Sequence, residues 1–162
     1  GNNDHEDLDP AWFPDGRRIA FTSNRAESSD IWVVDASGDK LPSPRTLDGL
    51  DDRDHYPTVG PDGEIVFVGE RGGDLDSDLY VSPGADEALR RLTNNAFREA
   101  SPDFSPDGNE LVFAEDGPGG GSRLVIRTAD GKDPRRIPID MPNALDPTWV
   151  ARLGPLEASA SE

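Results

Sequence analysis

Cysteine is absent from these 162 residues, and there are only one methionine and two histidines. Disulfides and thiol nucleophiles are therefore excluded, and imidazole chemistry has little to draw on. Positive charge is scarce. Sixteen Lys and Arg face 33 Asp and Glu, a formal net charge of −17. A phosphate backbone or an anionic bilayer would be repelled, so nucleic acid is not an expected partner. No apolar run approaches the length that crosses a bilayer, and membrane insertion is not expected. The start, Gly1-Asn2-Asn3-Asp4-His5-Glu6-Asp7, has neither the basic residues nor the apolar stretch of a signal peptide.

What the chain does have is turn chemistry, with 17 Gly and 15 Pro. Pro-Asp-Gly occurs at Pro14, Pro61 and Pro106, 47 and 45 residues apart. Four residues before each copy stands another proline: Pro10, Pro57 and Pro102. A fourth copy of that upstream half is Asp146-Pro147-Thr148-Trp149. A period in the mid-forties with short apolar runs marks a repeat architecture. Each repeat holds four short strand candidates, a to d. Pro-Asp-Gly joins a to b, because proline presets φ and glycine accepts a positive φ. Ser37-Gly38 and Asp130-Gly131 read as the c–d turns. The helix formers of Ala85–Leu92 fall in register with the d strands of the other repeats, so a turn and strand are expected there.

Four antiparallel strands per repeat of this length describe a β-propeller blade. The run Pro-Ala-Trp-Phe-Pro-Asp-Gly-Arg-Arg-Ile-Ala-Phe-Thr-Ser-Asn-Arg, followed by Asp-Ile-Trp-Val-Val-Asp, resembles the repeat of TolB-like propellers, and the resemblance covers residues 9–150. It implies an all-β partial propeller. The expected layout is a lead-in at 1–8, blades at 9–53, 54–98 and 99–142, an extra innermost strand at 143–150 and a disordered tail at 151–162. It also implies a periplasmic or extracellular setting. Such repeats occur in periplasmic TolB, in oligopeptidase propellers and in oligogalacturonate lyases, so the family does not fix one function. Three blades are too few to close a ring. The chain is thus expected to be part of a larger propeller, or to complete its ring as a homo-oligomer.

Two columns of the internal alignment change together. Arg25 and Arg71 align with Gly117, while Asp30 and Asp78 align with Arg123. The expectation is a salt bridge across each b–c hairpin of the first two repeats, lost as a unit in the third.

No catalytic residue is expected, since there is no Gly-x-Ser-x-Gly elbow, and Gly117-Pro118-Gly119-Gly120-Gly121 lacks the Gly-Lys-Ser/Thr of a phosphate loop. His55, beside Asp54, could act as a base, though a lone surface histidine is the blander reading. Asp74, Asp76 and Asp78 have the spacing that opens a calcium loop. Leu79 stands where glycine is needed and Ala85 where a bidentate glutamate is needed, so no metal or cofactor is expected beyond that weak calcium candidate. The remaining function is binding of a protein or peptide through the face built from the b–c and d–a loops. The candidate residues are Arg25, Glu27, Asp52, His55, Arg71, Asn94 and Arg98. The alternative is the substrate-access portion of a hydrolase or polysaccharide lyase whose catalytic residues lie outside this chain.

Overall fold

The computed structural model describes residues 4–47, 49, 52–71, 77–85, 87–116, 121–137 and 146–150. These contain twelve strands in three four-stranded antiparallel sheets, each in the order a-b-c-d. Blade one is β1 (Asp7–Trp12), β2 (Arg18–Ser23), β3 (Asp30–Asp35) and β4 (Ser43–Pro44). Blade two is β5 (Arg53–Val59), β6 (Ile65–Glu70), β7 (Ser77–Ser82) and β8 (Arg90–Arg91). Blade three is β9 (Glu99–Phe104), β10 (Glu110–Asp116), β11 (Ser122–Thr128) and β12 (Arg135–Arg136). The stretch with helical propensity ends in β8, as its register required.

The blades stack face to face, and the middle one is covered on both sides. That is why β6 contains an unbroken apolar run, Ile65-Val66-Phe67-Val68, all buried. Successive side chains of a strand point to opposite faces. Ile65 and Phe67 accordingly pack with Phe13, Ala20 and Ile31 of blade one. Val66 and Val68 pack with Phe104, Leu111, Phe113 and Val125 of blade three. Each Pro-Asp-Gly turn closes the same way, with Gly16 N, Gly63 N and Gly108 N donating to the carbonyls of Phe13, Gly60 and Ser105.

The innermost strands carry a feature that the repeated upstream proline marks. Asp9, Tyr56 and Ser101, each directly before that proline, have φ of 51°, 53° and 50°. At each of these places the a–b register slips, as a β-bulge requires. Asp146 repeats the geometry, with φ of 50°. The extra innermost strand expected there is not formed over 146–150, and 143–145 lie outside the described residues. The segment is instead tied to β9 through side chains: Ser101 Oγ donates to Asp146 at 2.5 Å, and Trp149 N donates to Asp103 at 2.8 Å. The three sheets do not close into a ring.

Candidate functional site

Because strand a ends in Pro-Asp-Gly and strand b begins there, the a–b and c–d turns share one end of the molecule. The b–c and d–a loops share the other. The residues singled out from sequence belong to that second end, and the structure sorts them into separate groups.

Arg71, Asp52 and Asn94 come together. The Arg71 guanidinium lies 4.5 Å from the Tyr80 ring centroid and donates to Asp54 at 2.6 Å. Its Nε is 3.9 Å from the half-buried Asp52 carboxylate. A crevice of about 350 Å³ opens beside it, lined by Arg71, Asp78, Tyr80, Arg91 and Asn94 among others. Within it an aromatic face, two guanidiniums and an exposed amide converge, a set suited to holding peptide groups.

Arg25 sits on blade one in the matching position, 5.1 Å from the Phe21 centroid and 5.0 Å from Trp32. It donates to Asp7 at 2.6 Å. Glu27, with φ of 75°, is exposed on the adjacent b–c loop. Arg98 lines a different crevice, with Glu70, Glu99 and Asp116.

These contacts correct the expected hairpin salt bridges. Arg25 and Arg71 reach carboxylates of strand a, Asp7 and Asp54, rather than Asp30 and Asp78. Asp30 accepts from Ser28 Oγ at 2.7 Å, and Asp78 is ion-paired with Arg91 of strand d. The arginines instead follow the aromatic pair beneath them. Phe21 faces Trp32 and Phe67 faces Tyr80, whereas Phe113 of blade three faces Val125. Where the second ring is missing, the sequence has Gly117 in place of the arginine. Glu115 and Arg123, cross-strand neighbours there, form an ion pair of their own.

His55 is not placed for acid–base work with Asp54. Adjacent residues of a strand face opposite ways, and Asp54 is buried against Arg71. His55 is half-buried with its ring 6.1 Å from that of Tyr56, and burial holds its pKa below the usual imidazole value. Asp74 and Asp76 lie outside the described residues, and Asp78 is taken by Arg91.

Sequence reasoning missed the axial site. The bulged residues Asp9, Tyr56, Ser101 and Asp146 converge on a cavity of about 410 Å³ between the innermost strands. Thr58 and Thr148 hydroxyls donate to the two oxygens of Asp103 at 3.3 and 3.2 Å. Burial and the carboxylates of Asp9 and Asp146 push the Tyr56 pKa up, so its hydroxyl keeps its proton. The available signal was the repeated upstream proline itself, at Pro10, Pro57, Pro102 and Pro147.

Comparison with known proteins agrees with this architecture. The TolB beta propeller domain model matches residues 1–153. The Tol-Pal system protein TolB of Bordetella pertussis is 28% identical over 127 residues, covering 78% of this chain and 28% of its own length. A peptidase of Bacillus subtilis, YuxL, is 28% identical over 112 residues, covering 64% of this chain and 16% of its own length. The crystal structure of TolB from Acinetobacter baumannii superposes with a TM-score of 0.74 at 26% identity, over 90% of this chain and 35% of that one. The chain thus spans less than a third of the length of the two curated relatives.

Proposed function

This chain belongs to the TolB beta propeller domain family, and from that membership we propose that it is a non-catalytic module binding a protein or peptide through its b–c and d–a loop face. The observation that carries this reading is the crevice in which Arg71, Tyr80, Arg91 and Asn94 converge, on the same end as the exposed Glu27. Similarity to a Tol-Pal system protein supports a protein partner, and TolB-like propellers imply a periplasmic or extracellular setting. Reversing charge at Glu27 and adding charge at Asn94 (Glu27→Arg, Asn94→Glu) should abolish co-purification of the partner. Asp62→Arg, on the opposite end, should leave it unchanged. Equal retention by all three variants would remove the loop face from the account.

A second reading, the substrate-access propeller of a hydrolase, is favoured by the similarity to peptidase YuxL. It would place the chemistry in another part of the parent polypeptide.

The outer face of blade one supports a further element of the proposal. Trp12 is 60% exposed there, while Val59 and Phe104, its equivalents on blades two and three, are covered by the preceding blade. Another blade of the same kind, from this polypeptide or a second copy, fits against that face. Light scattering on the isolated chain tests the second copy. A mass that is a multiple of 17.5 kDa supports assembly, and a strict, folded monomer contradicts it.

A further inference from the structure

We infer that the outer crevice between blades two and three is a carboxylate-binding site, taking an acidic side chain or the free C-terminus of a peptide. The crevice, about 320 Å³, is lined by Asn94, Phe97, Glu115, Val125, Arg127 and Arg136 among others. The central fact is Arg127. Its Nε is closed off from solvent, and among the described residues it has no hydrogen-bond acceptor. Arg127 is half-buried and lines the crevice, so a ligand there meets its guanidinium, and a donor group left without an acceptor is rare in folded proteins.

The repeat does not require an arginine here. In the other blades the same position of strand c, the partner of the first core residue of strand b, is Val34 or Ser82. At the junction of blades one and two, Ser82 Oγ accepts from Arg45 Nε at 2.8 Å, so an arginine arriving from the neighbouring blade fills the space. At the junction of blades two and three the residue matching Arg45 is the apolar Leu92, and Arg127 faces Leu111 across the ladder. Among the described residues neither Leu111 nor Leu92 offers Arg127 an acceptor, and Glu115, the carboxylate of the crevice, is held by Arg123.

Local charge favours an anion despite the chain's −17. Glu115 is ion-paired with Arg123, and Arg136 lies 3.7 Å away on the same oxygen. The crevice is lined by two guanidiniums, Arg127 and Arg136, and one carboxylate, Glu115, which Arg123 already neutralises from outside the lining, so the balance within it is positive. A planar guanidinium binds carboxylate in a bidentate manner. Phe97 and Val125 supply an apolar wall for the methylenes of an acidic side chain, and the Asn94 amide stands at the rim.

The crevice shares Asn94 and Asn95 with the loop-face crevice but is otherwise lined by different residues, and small probes can enter it whether or not a protein partner engages the loops. Its test uses the whole chain and four probes: N-acetylglutamate N′-methylamide, the glutamine counterpart, and acetyl-Ala-Ala with a free or an amidated C-terminus. Calorimetry gives affinity, and the Arg127 Nε–H resonance reports contact. The carboxylate probes should shift that resonance, and each neutral counterpart should bind at least about tenfold more weakly. Arg127→Gln should lose about tenfold in affinity while melting no lower than the parent. The better of the two acidic probes identifies the source as side chain or C-terminus. No shift of the Arg127 resonance at about 20 mM probe would overturn the inference, as would unchanged affinity in Arg127→Gln. Should that variant not fold, Arg127→Lys and the resonance in the parent chain decide it.

Discussion

The arginines of blades one and two depend on what lies beneath and beside them. Arg71 covers Tyr80 and donates to Asp54, whose side chain is 2% exposed, while the matching Asp7 is 42% exposed. Removing the cation over a buried carboxylate is costly, whereas an exposed pair contributes little. Arg71→Met should therefore destabilise by about 2 kcal/mol, and Arg25→Met by under about 1 kcal/mol, read from urea midpoints. Glu99 makes a second prediction. It is buried between blades two and three, accepting from Thr93 Oγ, from Asn95 Nδ2 at 2.6 Å and from Leu79 N at 3.1 Å. Burial outweighs these bonds and, with the nearby Asp78, pushes its pKa up to about 7. The unfolded chain then releases this proton first, so stability falls as pH rises from about 4.5 to 7 and levels above that. The full effect is about 3 kcal/mol. Glu99→Gln should flatten that segment of the stability–pH curve between pH 5 and 8. The joint loss of Arg and Asp in repeat three was legible in the sequence; their partners were not. An internal alignment reports columns that change together, and Trp32, Tyr80 and Val125 formed a third such column that identifies what the arginine stacks upon.

At the scale of single elements, the turns and the b and c strands were legible because their signals are local. Pro-Asp-Gly fixes backbone angles within three residues, and the apolar runs are continuous. What the turns touch was not legible. A Cβ on Gly108 would stand 2.3 Å from Pro61 Cγ, so the third turn rests on the second. Gly16 has a similar positive φ, 64°, with nothing near it. Gly16→Ala should cost about 1 kcal/mol from backbone conformation alone, and Gly108→Ala about 1–2 kcal/mol more. The difference in melting temperature between the two isolates the stacking of blade on blade. Strand d is the shortest of each blade, two residues long in all three. It borders only strand c, and the following residues turn inward instead: Arg45 and Thr46 amides both donate to the Ile31 carbonyl, and Thr46 Oγ accepts from Ile31 N. The bulge before each proline escaped because residues before proline ordinarily avoid such backbone angles. The same left-handed angle at all four positions makes this backbone geometry part of the repeat itself.

For the whole molecule, the period gave the architecture, and the family model over residues 1–153 agrees with it. The proposed binding face was legible as an end of the molecule but not as a site, since loops from different repeats meet only after the blades stack. Arg71 and Asn94 are distant in sequence and share one crevice. The most direct measurement of the central claim is site-specific photo-cross-linking in an extract of the cells that make this protein. A benzophenone side chain at Glu27 or Asn94, on the loop face, should give a discrete protein adduct that excess unlabelled chain competes away. The same group at Asp62 or Asp107, on the Pro-Asp-Gly face, should give none. Adducts from Asp62 and Asp107 with none from Glu27 and Asn94 would contradict the account and move the binding surface to the opposite end of the blades.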